Sequence, residues 1–343
     1  MIPIGLVGAG NISGTHARAI AEIPGASIAA VYSPTAARAA ALAGAHGARA
    51  YDSFDRFLDH RPMEMVVVGS PSGLHGEQGA AAARRGLHVL VEKPIEITTA
   101  RVDALVAETR RAGVTLGVIF QDRVKPDVVR LKSMVDGRAI GKPILASARV
   151  KWYRPPEYYR DSRWRGTWAL DGGGALMNQG VHTVDLLLWL AGPVRRVFAR
   201  AATQFHAIEV EDTVVAVIEF ASGLLATLEA TTSVYPGYPR RLELTGSEGT
   251  VILDGDRLVA TDLRARSSDL VSDTSDTSDT KPVNVASPVV ADVSGHRMVI
   301  EDFIRAVAEK RPPLVDGAAG RASVAVIEAI YRSSSLQVPV EMD

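Results

Sequence analysis

Lys93 closes the run Gly86-Leu87-His88-Val89-Leu90-Val91-Glu92-Lys93-Pro94, an apolar β-type segment that stops at a lysine between a carboxylate and a proline. A lysine at the end of a buried parallel strand emerges where open α/β sheets bind their ligands. An amine in that place loses solvation, its pKa falls, and it can exchange a proton with a substrate. Taken alone, the tripeptide also reads as an exposed ion pair at a strand end. A second reactive stretch runs from Asp171 through Gly172-Gly173-Gly174 to Asn178, His182 and Asp185. Asn178 and His182 are four residues apart and so share a helix face. His182 can serve as acid or base near neutral pH. Asn178 transfers no proton but can fix a hydroxyl by hydrogen bonding. Asp185 either orients His182 or anchors the helix. The glycines before Asn178 allow another chain segment or a ligand to come close. His182 and Asp185 make only two metal ligands, and no second histidine cluster joins them, so no metal is expected.

A third feature is Gly8-Ala9-Gly10-Asn11-Ile12-Ser13, which follows the first strand and opens a helix. Gly8 permits a tight turn. Gly10 lets backbone approach a pyrophosphate, which the helix N-terminus favours electrostatically. Ser13 replaces the usual third glycine or alanine and is still small. The second strand ends at Tyr32-Ser33-Pro34-Thr35-Ala36-Ala37-Arg38, with no acid to hold ribose hydroxyls. Ser33, Thr35 and Arg38 can together accept a 2′-phosphate, so the reading leans to NADP over NAD. The structural alternative is a turn or helix cap at Ser33 with a solvated Arg38.

These residues need elements to hold them. The first third alternates wholly apolar strands (4–7, 27–32, 65–68, 88–91 and 115–120) with helices (14–22, 35–45, 54–58, 75–85 and 98–112). That pattern predicts a parallel sheet covered on both faces, a doubly wound dinucleotide-type domain over residues 1–122. Residues 123–343 read differently. A helix at 126–135 and a strand at 142–152 lead through an aromatic loop to a helix at 178–190. Alternating strands follow at 194–203, 212–220, 224–232, 240–245 and 250–253, with turns at Ala221-Ser222-Gly223 and Gly246-Ser247-Glu248-Gly249. Helices at 295–308 and 318–333 close the chain. A mixed sheet with one helix-covered face is expected, its other face free to pair with a second subunit in a homo-oligomer, a dimer or tetramer. Ser272 to Thr280 repeats Ser-Asp-Thr without an apolar residue and reads as a mobile surface loop.

With 343 residues, 47% hydrophobic and 22% charged, the chain fits two soluble domains. A net charge of −1 offers no partner surface for nucleic acid. The absence of cysteine removes disulfides and thiolate chemistry and suits a cytoplasmic protein. No signal peptide or membrane span is read.

The glycine turn with His16, the Glu92-Lys93-Pro94 strand end and the Gly-Gly-Gly…His182-Thr-Val-Asp185 helix occur in one order and spacing. Ser70-Pro71-Ser72-Gly73-Leu74-His75 after the third main strand belongs to the same set. Across essentially its whole length the sequence resembles the Gfo/Idh/MocA family of pyridine-nucleotide sugar and cyclitol oxidoreductases. The resemblance implies a Rossmann domain, then an α+β domain on a large open, mostly antiparallel sheet, with a cleft for nicotinamide and substrate. It implies nucleotide contacts at Gly8, Gly10, Asn11, Ile12, Ser33, Thr35, Arg38, Ser70, Pro71, His75, Glu92, Lys93 and Pro94. Lys93 matches the family's catalytic lysine, followed by a cis peptide, and His182 matches its catalytic histidine. Many members carry Asp four residues before that histidine, where this chain has Asn178. Asn there resembles the branch of UDP-N-acetylglucosaminuronate 3-dehydrogenases and related glycoside 3-dehydrogenases. The expected reaction is reversible oxidation of a secondary ring alcohol, with Lys93 or His182 moving the hydroxyl proton. A cyclitol dehydrogenase, a lyase or hydrolase using the cofactor transiently, and a non-catalytic sugar sensor on the same scaffold are the alternatives.

On the substrate side, Lys151-Trp152-Tyr153-Arg154 and the stretch Tyr158 to Trp168 concentrate aromatics and arginines. Tyr153 and Trp164 can cover sugar faces, and Arg163 and Arg165 can bind a carboxylate or phosphate. A packed subunit interface explains the same composition. Arg123 is a further substrate-binding candidate, beside Lys93, Asn178 and His182.

Overall fold

The computed structural model describes residues 1–264 and 292–342; the repeat at 272–280 lies outside them. The chain divides into two compact units. The first comprises Met1–Gln121, Ala169–Gly172 and the described part of Ser287–Val324. The second comprises Asp122–Trp168, Gly173–Ala286 where described, and Ala325–Asp343 to residue 342. Among the described residues no helix is long and apolar enough to cross a membrane.

The first unit is built on β1 (Ile2–Val7), β2 (Ala26–Tyr32), β3 (Arg49–Tyr51), β4 (Met65–Val68), β5 (His88–Glu92) and β6 (Leu116–Ile119). They form one parallel sheet in the order β3-β2-β1-β4-β5-β6. Ile4, Leu6, Val66, Val67, Leu90 and Val118 are at most 1% exposed, as a sheet covered on both faces requires. The short β3 is an addition to the expected set. Its three residues, Arg-Ala-Tyr, are too few to show a period. The closing helix Ser294–Glu309 also belongs here, with Phe303 filling the space left by Gly117 on β6.

The second unit carries β7 (Pro143–Lys151), β8 (Val194–Ala202), β9 (Thr213–Phe220), β10 (Leu225–Thr231), β11 (Arg241–Gly246), β12 (Gly249–Asp254), β13 (Arg257–Leu263) and β14 (Val340–Glu341). Their order is β13-β12-β11-β7-β10-β9-β8-β14. All pairings are antiparallel except β7 with β10, so the sheet is mostly antiparallel, as expected. Alternation sets its faces: Val214, Ala216 and Ile218 of β9 are buried, while Val215 and Val217 are about half exposed.

Candidate functional site

In the first unit, β1 passes through Gly8, whose φ of 105° only glycine holds without strain, into the helix Asn11–Ala21. Gly10 caps that helix without a side-chain bond, and the first turn carries no acid. Gly10 and Asn11 are exposed, Ile12 is half-buried, and a Cβ built on Gly10 would meet nothing within 4 Å. The helix therefore presents backbone N–H groups and its positive end to open space, which fits a pyrophosphate.

The end of β2 is more closed. Ser33 is 5% exposed, and its hydroxyl accepts from the Thr35 N–H at 3.2 Å, the turn role foreseen as the alternative. Thr35 and Arg38 remain exposed. Beyond β4, Ser70 and Pro71 are half-buried, and His75 is buried. The His75 ring nitrogens lie 2.8 Å from the carbonyl oxygens of Pro94 and Ser70, so this side chain ties the ends of β4 and β5 together.

At the end of β5, Glu92 is 5% exposed and half-buried Lys93 is followed by a cis peptide to Pro94. Glu92 Oε1 lies 2.8 Å from His16 Nε2 and 3.8 Å from His296 Nε2. Glu92 Oε2 accepts from the Lys93 N–H at 3.0 Å. Burial pushes the Glu92 carboxyl up, but the hydrogen bond and charge of His16, and the charges of His296 and Lys93, outweigh it and hold it down at about 2. His16, Glu92 and His296 also have ligand atoms within 4.8 Å of one another, the spacing of a metal site, although the direct hydrogen bond already accounts for the approach of His16 to Glu92. His296, about 200 residues beyond Glu92, carried no signal in the sequence.

In the second unit, residues 175–180 form a π-helical turn that leads into the helix Val181–Ala191. From Asp171 to Leu187 every residue is buried except Asn178 and His182, both half-buried. Asn178, on the π turn, and His182, on the helix after it, are thus the polar window of an otherwise buried segment. Behind it, His182 Nδ1 lies 3.6 Å from Asp122 Oδ2. Asp122 is 5% exposed and pairs with buried Arg240 and, at 3.2 Å, with Lys125. Burial raises the Asp122 carboxyl, but Arg240, His182 and Lys125 together hold it well below the usual range, so it is ionised. Asp122 is thus an anion beside His182, and Asp185 is held by Arg123, which donates to it twice, at 2.8 and 2.6 Å. Arg123 is 7% exposed and also lies over the Trp189 ring, so its fork is already engaged.

Glu211 is a further buried acid the sequence did not reveal. Its carboxylate accepts from the N–H groups of Gly174 and Leu176 and from the Tyr331 hydroxyl, at 2.8 to 2.9 Å. Burial nonetheless pushes this carboxyl up to about 7. In the aromatic loop, Arg165 stacks over Tyr158 and Trp164, Tyr153 packs edge-on against Tyr235, and Arg163 is exposed.

Two family models match the chain. The model described as an oxidoreductase family with an NAD-binding Rossmann fold covers residues 2–120, and the GFO/IDH/MocA C-terminal domain covers 128–252. A crystal structure of the WlbA dehydrogenase from Bordetella pertussis, in complex with NADH and UDP-GlcNAcA, is 31% identical, with a TM-score of 0.90 over 100% of this chain and 99% of that one. Inositol 2-dehydrogenase 2 of Saccharopolyspora erythraea is 30% identical over 73% of this chain and 72% of its own length. D-xylose 1-dehydrogenase (NADP(+)) 2 of Haloferax volcanii is 29% identical over 92% of each.

Proposed function

The chain belongs to the Gfo/Idh/MocA family of NAD-binding oxidoreductases, and from that premise we propose that it interconverts a secondary alcohol and a ketone on a nucleotide sugar, sugar or glycoside, at ring C3. The observation that carries this reading is the polar window of Asn178 and His182, backed by ionised Asp122. An imidazole beside a fixed anion is suited to moving a hydroxyl proton. Asn178 can hold that hydroxyl or its neighbour without competing for the proton. Lys93 is the second proton-transfer group, its backbone fixed through Glu92. Bound nicotinamide supplies the hydride acceptor. Gly8, Gly10 and the start of the helix Asn11–Ala21 hold the pyrophosphate.

The likeness to an enzyme crystallised with UDP-GlcNAcA extends over nearly both whole chains, which favours a nucleotide-sugar acid. Arg163 and Arg165, together with Tyr153 and Trp164, supply cations and rings suited to that substrate. Inositol is the second reading, favoured by a relative of nearly equal identity. For the cofactor we infer that NADP is accepted, through Thr35 and Arg38, because no carboxylate at the end of β2 repels a 2′-phosphate. The outer face of the eight-stranded sheet is read as the surface that pairs subunits of a homo-oligomer.

Turnover of UDP-GlcNAcA, free sugars, glycosides and inositols with NAD and with NADP tests the proposal, followed by reduced-nicotinamide absorbance. Product analysis locates the carbon oxidised. Activity confined to inositols would replace the first reading by the second. Much faster turnover with NAD than with NADP would overturn the cofactor inference.

A further inference from the structure

Glu211 has no part in the proton transfers above, yet its placement bears on both residues of the polar window. Three successive N–H groups open the π turn, those of Gly174, Ala175 and Leu176, and Glu211 accepts from all three. Its carboxylate takes Gly174 at 2.9 Å and Leu176 at 2.8 Å, while its own carbonyl takes Ala175 at 3.0 Å. Groups at a helix start lack intrahelical acceptors, and one residue here supplies them for three in a row. The π turn has no side-chain cap of its own.

The clamp is itself held. Tyr331, from the helix Gly317–Leu336, donates to Glu211 Oε1 at 2.9 Å. The next residue, Asp212, accepts from the N–H groups of Gln204, Phe205 and His206 at 2.7 to 2.9 Å and anchors the chain beside Glu211. Two glycines make room for this arrangement. A Cβ on Gly174 would collide with the Glu211 carbonyl, and one on Gly173 with the Tyr331 hydroxyl. Asn178 stands on the clamped turn, its N–H bonded to the Gly174 carbonyl at 3.0 Å, and His182 follows one turn later.

We propose that Glu211 is a positioning residue for this oxidoreductase: by accepting the three opening N–H groups of the π turn it sets the presentation of Asn178 and His182. The inference rests on the reading that those two side chains act on the substrate. Gln at 211 keeps one acceptor oxygen and turns an amide NH2 towards either Gly174 or Leu176, breaking one bond with little change of volume. Phe at 331 removes one donor to the carboxylate and leaves the backbone contacts in place.

The test uses the full-length NADH-loaded enzyme and has two readouts. Hydrogen exchange by mass spectrometry should rise in Glu211→Gln within peptides covering residues 174–182 and remain unchanged over β1 and the helix Asn11–Ala21. Turnover of UDP-GlcNAcA, or of myo-inositol if the screen selects it, should fall about 10- to 100-fold in kcat for Glu211→Gln and by a smaller factor for Tyr331→Phe, with the cofactor KM unchanged. If Glu211→Gln fails to fold, Tyr331→Phe decides by the same two readouts. Unchanged exchange at 174–182 overturns the proposal. So does unchanged kcat while His182→Ala is inactive. Wild-type turnover in both His182→Ala and Asn178→Ala would instead defeat the functional reading, and exchange would still decide whether Glu211 holds the turn.

Discussion

At the scale of single residues, each candidate proton-transfer residue has a buried carboxylate beside it. Glu92 supports Lys93 through the backbone, and Asp122 supports His182 through the ring. If Lys93 moves the proton, Lys93→Met should abolish turnover and leave NADH binding intact, as read by fluorescence titration. Wild-type rates in that variant would remove Lys93 from the mechanism. Glu92 also makes a pH prediction. Its carboxyl sits at about 2, below the ordinary 4.5, so the stabilisation is complete above pH 4.5 and is lost as pH falls through 2. The loss should be on the order of 3 kcal/mol. Denaturant unfolding across that window should show a steep decline in the native protein and a shallower one in Glu92→Gln. Equal slopes would mean that the contacts of Glu92 with His16 and His296 contribute no ionic stabilisation.

At the scale of elements, the decisive piece is the π turn Ala175–Gly180. The three glycines before Asn178 left two readings open, a close chain segment or a close ligand. The structure places protein against all three: Ile97 at Gly172, Tyr331 at Gly173 and Glu211 at Gly174. Gly174→Ala should therefore destabilise the protein by at least about 3 kcal/mol, because the obstacle is a backbone carbonyl and not a flexible side chain. A thermal melt of that variant coinciding with the native one would refute the packing argument. By contrast, Gly10→Ala meets no protein atom, so its effect should appear in the cofactor KM and leave the melting temperature nearly unchanged.

At the scale of the whole molecule, the open face of the eight-stranded sheet matters most. Phe198, Val215, Val217, Leu225 and Leu145 lie on it, each 43–53% exposed, on neighbouring strands. Exposed apolar side chains on a sheet face suit the pairing of subunits. If that face pairs subunits, Val215→Glu with Val217→Glu should shift sedimentation equilibrium towards monomer at micromolar concentration. A native protein that sediments as a monomer would dispose of the expected assembly.

The sequence by itself determined the parallel sheet, most of the second sheet, the glycine turn and the candidates Lys93, Asn178 and His182. Those features are local: runs of apolar residues, a strand–turn–helix, a spacing of four. Strand edges were legible to within a few residues, except for β3, β13 and β14. β3 and β14 have too few residues to show a period, and β13 runs Arg-Leu-Val-Ala-Thr-Asp-Leu without the alternation of a half-buried strand. Only the tertiary structure decided which charges stand behind the candidate residues. Asp122 meets Arg240 across 118 residues of chain, Glu211 meets Tyr331 across 120, and Glu92 meets His16 across 76. A buried ion takes its partner from whatever the fold brings within a few ångströms, and no local pattern encodes that choice. For the same reason Asp185, the nearest acid in the chain, is held by Arg123, and the more distant Asp122 stands beside His182.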